Sequence, residues 1–194
     1  MIIHVSGAPG SGKSTMGRQL AKRYRGLIFV KDVDSLRADF IRRRYGAAPI
    51  KSFDAAAYQA HIDAYVAAHR ARPLVFVGLN VMPWWHRDHY YDLHATHKYF
   101  VSEGAATLVE RSCVRLLRRL AGSRRDLKFL VEHNGEFIAN VQRAIADECD
   151  LGAAKKRVKA FTAGAARRGY KITQFADVYR AACAALDRAT ARAR

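Results

Sequence analysis

The sequence predicts a three-layer α/β sandwich built on a five-stranded parallel sheet, and three observations carry that expectation. Short apolar or β-branched runs, bounded by glycine, proline or charge, alternate with stretches of helical length. At 194 residues, half of them hydrophobic, the chain can bury one sizeable core and is near the usual size of a single domain, taken as 1–194. A glycine-dense stretch, "GAPGSGKST", stands between the first apolar run and the first helical one, where a plain surface turn would not need so many glycines.

The strand-like runs, in order, are "IIHVS" (2–6), "LIFV" (27–30) after Gly26, "PLVFVGL" (73–79) opening at Pro73, "KYFVS" (98–102), and "YKIT" (170–173) after Gly169. Between and after them, 13–25, 35–45, 53–71, 105–121 and 175–193 have the length and composition of helices. Parallel strands require such crossovers, with helices on both faces of the sheet. The stretch from Gly122 to Gly169 has helical patterns and no convincing strand. It reads as an insertion, so a helical lid is expected over approximately 105–169.

Composition narrows the setting. Lysine and arginine outnumber aspartate and glutamate 34 to 17, and a net charge of +17 attracts polyanions such as nucleic acid or phosphorylated ligands. The rival account is a general enrichment in alanine and arginine, down to the tail "DRATARAR", which would raise the charge without any binding role. Cys113, Cys149 and Cys183 are far apart and form no CxxC pair, so neither a disulfide framework nor a zinc site is expected. No stretch approaches the roughly 18 apolar residues of a membrane span, and the first strand begins without a leader-like segment. The expectation is a reduced, soluble, cytoplasmic chain with no membrane partner.

Gly7-Ala8-Pro9-Gly10-Ser11-Gly12-Lys13-Ser14 fits GxxxxGK[ST] at every specified position, directly after a strand and before a helix. Such a loop folds its backbone around phosphates, and the helix N-terminus adds partial positive charge. Lys13 is placed to reach β and γ phosphates, Ser14 to bind Mg²⁺, and Thr15 to pack nearby. The loop implies ATP and Mg²⁺ without choosing among kinases, GTPases, helicases and transporters. The chain has no NKxD guanine signature, and Gly78 ends the third strand where an acid would otherwise sit. Acids come instead after the second strand, in "KDVDSLR".

With these residues in place, the chain resembles the small P-loop kinases, the group of adenylate kinase and other nucleoside monophosphate kinases, shikimate kinase and the kinase domain of polynucleotide kinase. The resemblance implies a P-loop NTPase sandwich. Asp32-Val33-Asp34 fits the DxD of shikimate kinase, with Asp32 near the Mg²⁺ shell and Asp34 on the acceptor. Asp34-Ser35-Leu36-Arg37 fits the DxxR of polynucleotide kinase equally well. Phosphoryl transfer to a hydroxyl needs a carboxylate that orients it and accepts its proton, a role for Asp34; an acceptor that is already a phosphate needs Arg37 as an anion clamp. Asp34 could also simply cap a helix beginning at Ser35.

Two more segments are chemically unusual. "GLNVMPWWHRDHYYDLH" follows the third strand at the carboxyl edge, where open α/β sheets bind ligands. There Gly78, Asn80, Trp84 and Trp85, with Tyr90 and Tyr91, could form an acceptor site, although aromatics are also ordinary core filler. The usual glycine, proline and arginine pattern of nucleotide kinases is absent from this place. Arg111, Arg115 and Arg118 share a helical face, with Arg119, Arg124 and Arg125 beyond, and match the lid arginines of small P-loop kinases. A solvated basic face is the rival account. Lys155, Lys156, Arg157 and Lys159, with Arg167 and Arg168, form a second basic stretch that reads as solvated surface or nonspecific polyanion contact. The expected function is Mg²⁺-dependent γ-phosphoryl transfer from ATP to a nucleotide or nucleoside, with Lys13, Asp34, Arg37, Arg115 and Arg118 as catalytic residues. The alternatives are a polynucleotide 5′-hydroxyl kinase and a non-catalytic, nucleotide-switched nucleic-acid-binding protein.

Overall fold

The computed structural model describes residues 1–46, 52–80, 91–122 and 149–191, with Gly135, Ala139, Gln142, Arg143, Ile145 and Ala146; side chains in 117–122 are outside that description. In chain order the elements are β1 (Ile2–Gly7), α1 (Lys13–Arg23), β2 (Phe29–Asp32), α2 (Val33–Tyr45), α3 (Ala55–Ala68) and β3 (Leu74–Val77). They continue with β4 (His97–Val101), α4 (Ala105–Gly122), α5 (Leu151–Arg167), β5 (Lys171–Thr173) and α6 (Phe175–Ala191). The strands form one sheet in the order β2-β3-β1-β4-β5, and every pairing is parallel. The α/β class and the five-stranded parallel sheet are therefore as the alternation of runs predicts.

Alternate strand residues point to opposite faces, and each face buries its own helices. On one face Ile3, Val5, Val75, Val77, Tyr99 and Val101 pack against Met16 and Leu20 of α1 and Val178, Ala182 and Leu186 of α6. On the other, Leu74 and Phe76 meet Leu36 and Phe40 of α2 and Tyr58 and Ile62 of α3. Further along that face, Phe100 meets Ala165 of α5 and Tyr170. Side chains as completely buried as Leu20 and Ile62 each contribute about 1.5–3 kcal/mol relative to exposure. The sequence places Leu151–Arg167 in an insertion, yet α5 covers the sheet beside Phe100.

His4 is the one fully buried histidine of β1, and it connects the two packing groups of the second face. Its Nε2 lies 3.0 Å from the Gly78 carbonyl and its Nδ1 2.6 Å from the Tyr170 hydroxyl. A carbonyl only accepts, so Nε2 carries the proton and Nδ1 accepts from the phenol. Burial lowers the pKa of His4 to about 4, with the Lys98 and Lys13 charges acting in the same direction against the opposing Gly78 hydrogen bond.

Two expectations are corrected. β2 starts at Phe29 rather than Leu27 and runs on to Asp32, so α2 begins at Val33 and not at Ser35. As an edge strand paired only with β3, it tolerates polar Lys31 and Asp32, whereas Leu27 is turned out to solvent. The cysteines are not three separate thiols. Cys113 of α4 and Cys149, just before α5, form a disulfide, and Cys183 is a buried free thiol. The packing of α4 against α5 brings together sulfurs 36 residues apart in sequence, and the cysteine argument for a reducing compartment loses its premise. Among the described residues no helix is long and apolar enough to cross a membrane.

Candidate functional site

The glycine-rich loop leaves the buried end of β1 and enters α1 at Lys13. Gly12 precedes the helix with φ of 90°, a left-handed conformation that a side chain disfavours. A Cβ there would also stand 3.1 Å from the Phe175 ring, so the loop and the start of α6 are in close contact. Ser11 donates its N–H to the Ala8 carbonyl at 3.1 Å, tightening the loop. Its hydroxyl is buried beneath the loop against Gly7, with no hydrogen-bond partner among the described residues. Gly7, Ala8 and Ser11 thus shape the loop, while Pro9, Gly10, Gly12, Lys13, Ser14 and Thr15 line the cavity beside it.

That cavity measures about 1160 Å³. The Lys13 ammonium donates to the Ala8 carbonyl at 2.9 Å, folded back on its own loop. Burial brings its pKa down to about 8, against the favourable charges of Asp34 and Asp32. Ser14 Oγ lies 3.5 Å from Asp32 Oδ2. The other Asp32 oxygen caps α2, accepting the N–H groups of Asp34 and Ser35. The capping role that the sequence offered to Asp34 thus belongs to Asp32. Asp34 stands instead in the first turn of α2, paired with Arg37.

Among the described residues no group of three or more histidine, cysteine or acidic side chains could hold a metal ion. Ser14 and the Asp32 oxygen that faces it nevertheless suit Mg²⁺, which characteristically takes one or two carboxylates and completes its shell with water and phosphate.

The opposite wall comes from α4. Arg111 donates to the Gly10 carbonyl at 3.1 Å and stands 3.6 Å from Glu103, the acid just after β4. Arg115 lines the same cavity, its guanidinium 3.6 Å from where a Gly10 Cβ would be. Arg118 lies on α4, but its side chain falls outside the described residues, as do Arg119, Arg124 and Arg125. Glu103 and Phe175 also line the cavity, and sequence reasoning selected neither. The available signals were an acid just after the fourth strand and an aromatic at the first position of the last helix.

The predicted acceptor residues divide. Asp34, Arg37 and Gly78 line the cavity. Gly78 has φ of 138°, and a Cβ there would come within 3.0 Å of Val33, so close approach of β3 to α2 requires glycine. Asn80 is a correction: it is buried, and its amide donates to the Tyr91 carbonyl, so it ties the two ends of its segment together rather than facing a ligand. Tyr91 packs edge-on against Tyr58 in the core. Trp84, Trp85 and Tyr90, with His86, Arg87 and His89, lie outside the described residues.

One cavity therefore brings together an ammonium, guanidiniums, a hydroxyl–carboxylate pair and a second carboxylate. This set can hold a polyphosphate, neutralise it and orient a proton-bearing acceptor. No protein-family model and no curated protein matches the chain.

Proposed function

We propose that the chain is an ATP-dependent phosphotransferase of the small P-loop kinase type, with a P-loop NTPase sandwich fold and a nucleotide or nucleoside as acceptor. The observation that carries this reading is the convergence on one cavity of Lys13, Ser14, Asp32, Asp34, Arg37 and Arg115. Lys13 leaves the Ala8 carbonyl for the β and γ phosphates, while Arg111 and Arg115 offset charge from the α4 side. Ser14 and Asp32 would hold Mg²⁺, which lowers the charge on the phosphates when bound.

Asp34 orients an acceptor hydroxyl and takes its proton. The acceptor oxygen then bonds to the γ-phosphorus as the bond from that phosphorus to the bridging oxygen breaks, and ADP leaves. For an acceptor that is already a phosphate no base is needed, and Arg37 holds the incoming anion. The pairing of Asp34 with Arg37 supports one further reading, a polynucleotide 5′-hydroxyl kinase, because it joins the two specified positions of the DxxR pattern.

The test is ADP release from ATP and Mg²⁺ across nucleosides, nucleoside monophosphates, shikimate-like alcohols and 5′-hydroxyl oligonucleotides, with Lys13→Ala alongside. Acceptor-dependent release that the variant lowers by roughly 10²-fold or more is expected. Full turnover in a folded Lys13→Ala protein would sink the kinase reading. Release only with oligonucleotides, falling steeply with salt, would select the second reading.

A further inference from the structure

We infer that α5 and the carboxyl end of β4 form a binding groove for a single-stranded nucleic acid, gripped through its phosphates and without sequence preference. The groove measures about 520 Å³ and is lined by Lys155 and Lys159, by the hydroxyl-bearing Ser102 and Thr162, and by residues that include Val158 and Ala163. Lys155 and Lys159 are one helical turn apart, about 6 Å along the axis, so two ammonium groups face the same track.

Among the described residues the two groove lysines of this helix have no acidic partner, and the charge of Asp150, just before it, acts on Lys156 and Arg157. From 151 to 167 the sequence contains lysine and arginine but no aspartate or glutamate. None of Lys155, Lys156, Arg157 and Lys159 has a carboxylate within salt-bridge distance among the described residues, whereas Arg42, Arg111 and Arg180 on other helices pair with Asp39, Glu103 and Asp177. Asp150, the nearest acid in sequence, accepts the Ala153 N–H as the cap of α5. A row of unpaired ammonium groups above a shallow channel complements a polyanion.

The inferred occupant is one extended strand, whose phosphates suit two ammonium groups one helical turn apart. Among the described residues no aromatic side chain lines the groove, so it offers bases no platform to stack on, and the inferred grip is on the backbone. The site is separate from the proposed acceptor site. β1 and β3 lie between β4 and β2 in the sheet, and Asp34 follows β2. Binding here does not depend on phosphoryl transfer.

The experiment is fluorescence anisotropy of labelled oligothymidylate and oligouridylate, about 20 nucleotides long, titrated with the whole protein over a series of salt concentrations. Lys155→Gln/Lys159→Gln should make the slope of log K against log salt shallower by about 1.4, that is about 0.7 for each lost contact on a single strand. At about 0.1 M salt this corresponds to an affinity loss of about 25-fold relative to the extrapolation at 1 M. A control with the same charge loss elsewhere, Arg42→Gln/Arg180→Gln, should keep the wild-type slope. Binding of a fluorescent ADP analogue by both variants should be unchanged, which shows that the fold is intact.

Absence of oligonucleotide binding at low salt overturns the proposal, and so does a control pair that flattens the slope as much as the lysine pair, which makes the basicity diffuse. Phosphatidylserine vesicles that bind with the same dependence on the two lysines would assign the groove to a lipid surface instead, and a strong base preference would contradict the backbone grip. Failure to bind the ADP analogue counts against the phosphotransferase reading and leaves the oligonucleotide result standing.

Discussion

His4 should make the fold sensitive to acid well above the range in which carboxylates titrate. Its pKa falls from 6.5 to about 4 on folding, because the imidazole is fully buried between the Tyr170 hydroxyl and the Gly78 carbonyl. A group whose folded pKa is depressed contributes stability that is present above its unfolded value and is lost as pH falls toward its folded one. Between pH 6.5 and 4 the unfolded chain binds a proton at this position that the folded chain refuses, so unfolding free energy declines as acid is added. A shift of roughly 2.5 units corresponds to about 3 kcal/mol in full, of which about 2 kcal/mol is lost between pH 7 and pH 5. Urea unfolding of the wild type and of His4→Gln at a series of pH values isolates this contribution, because the carboxylates and other histidines are common to both. The variant should be less stable at pH 7 by about 1–3 kcal/mol if its amide fails to satisfy both partners. The gap should then close by about 2 kcal/mol on going to pH 5. A gap that stays constant across the series would show that His4 is not held neutral in the folded protein, and the tautomer assigned to it would fall.

Other outcomes follow from the cavity. Burial lowers the Lys13 pKa to about 8, and phosphate favours its charged form, so nucleotide affinity should decline as pH rises through 8; calorimetry in buffers of different ionisation enthalpy should detect proton uptake on binding at that pH, and no uptake would refute the lowered value. Asp34→Asn should reduce turnover with a hydroxyl acceptor by roughly 10²-fold or more, whereas Arg37→Ala should be the more damaging change with a monophosphate; unaltered steady-state rates in both variants would place the acceptor elsewhere. Gly12→Ala forces a side chain into a left-handed conformation against the Phe175 ring and should cost about 1–2 kcal/mol from the backbone alone; a denaturation midpoint equal to wild type would disprove the close approach of the loop to α6.

The strand, glycine-rich loop and helix were legible because their pattern is local: eight consecutive residues and two flanking elements specify it. The sheet was legible for a similar reason, since its inner strands, such as Leu74–Val77, are continuously apolar. Reading apolarity alone failed at β2, where the most apolar residues, Leu27 and Ile28, precede the strand and the edge position admits Lys31 and Asp32. That two-residue displacement is why the cap is Asp32 and why Asp34 is left facing Arg37. What the sequence could not disclose depends on distant packing. Nothing in the spacing of Glu103 and Arg111 relates them to Gly10, and Phe175 is an ordinary aromatic until the fold sets it against Gly12. Asn80 looked like a ligand group because a polar residue at a strand end is usually exposed; here it is buried, with its amide donating to the Tyr91 carbonyl.

The link between Cys113 and Cys149 makes the chain a closed ring over that stretch, with a consequence for how the protein can be taken apart. A protease that cuts once anywhere between those two residues leaves a single molecule, indistinguishable in mass from the uncut chain except for one added water, until a thiol reductant is supplied. The N-terminal piece carries Lys13 and Asp34, and the C-terminal piece carries Phe175. Phe175 would thus stay covalently tethered to the rest of the cavity lining through a cut that would leave no such link in a chain with serine at either position.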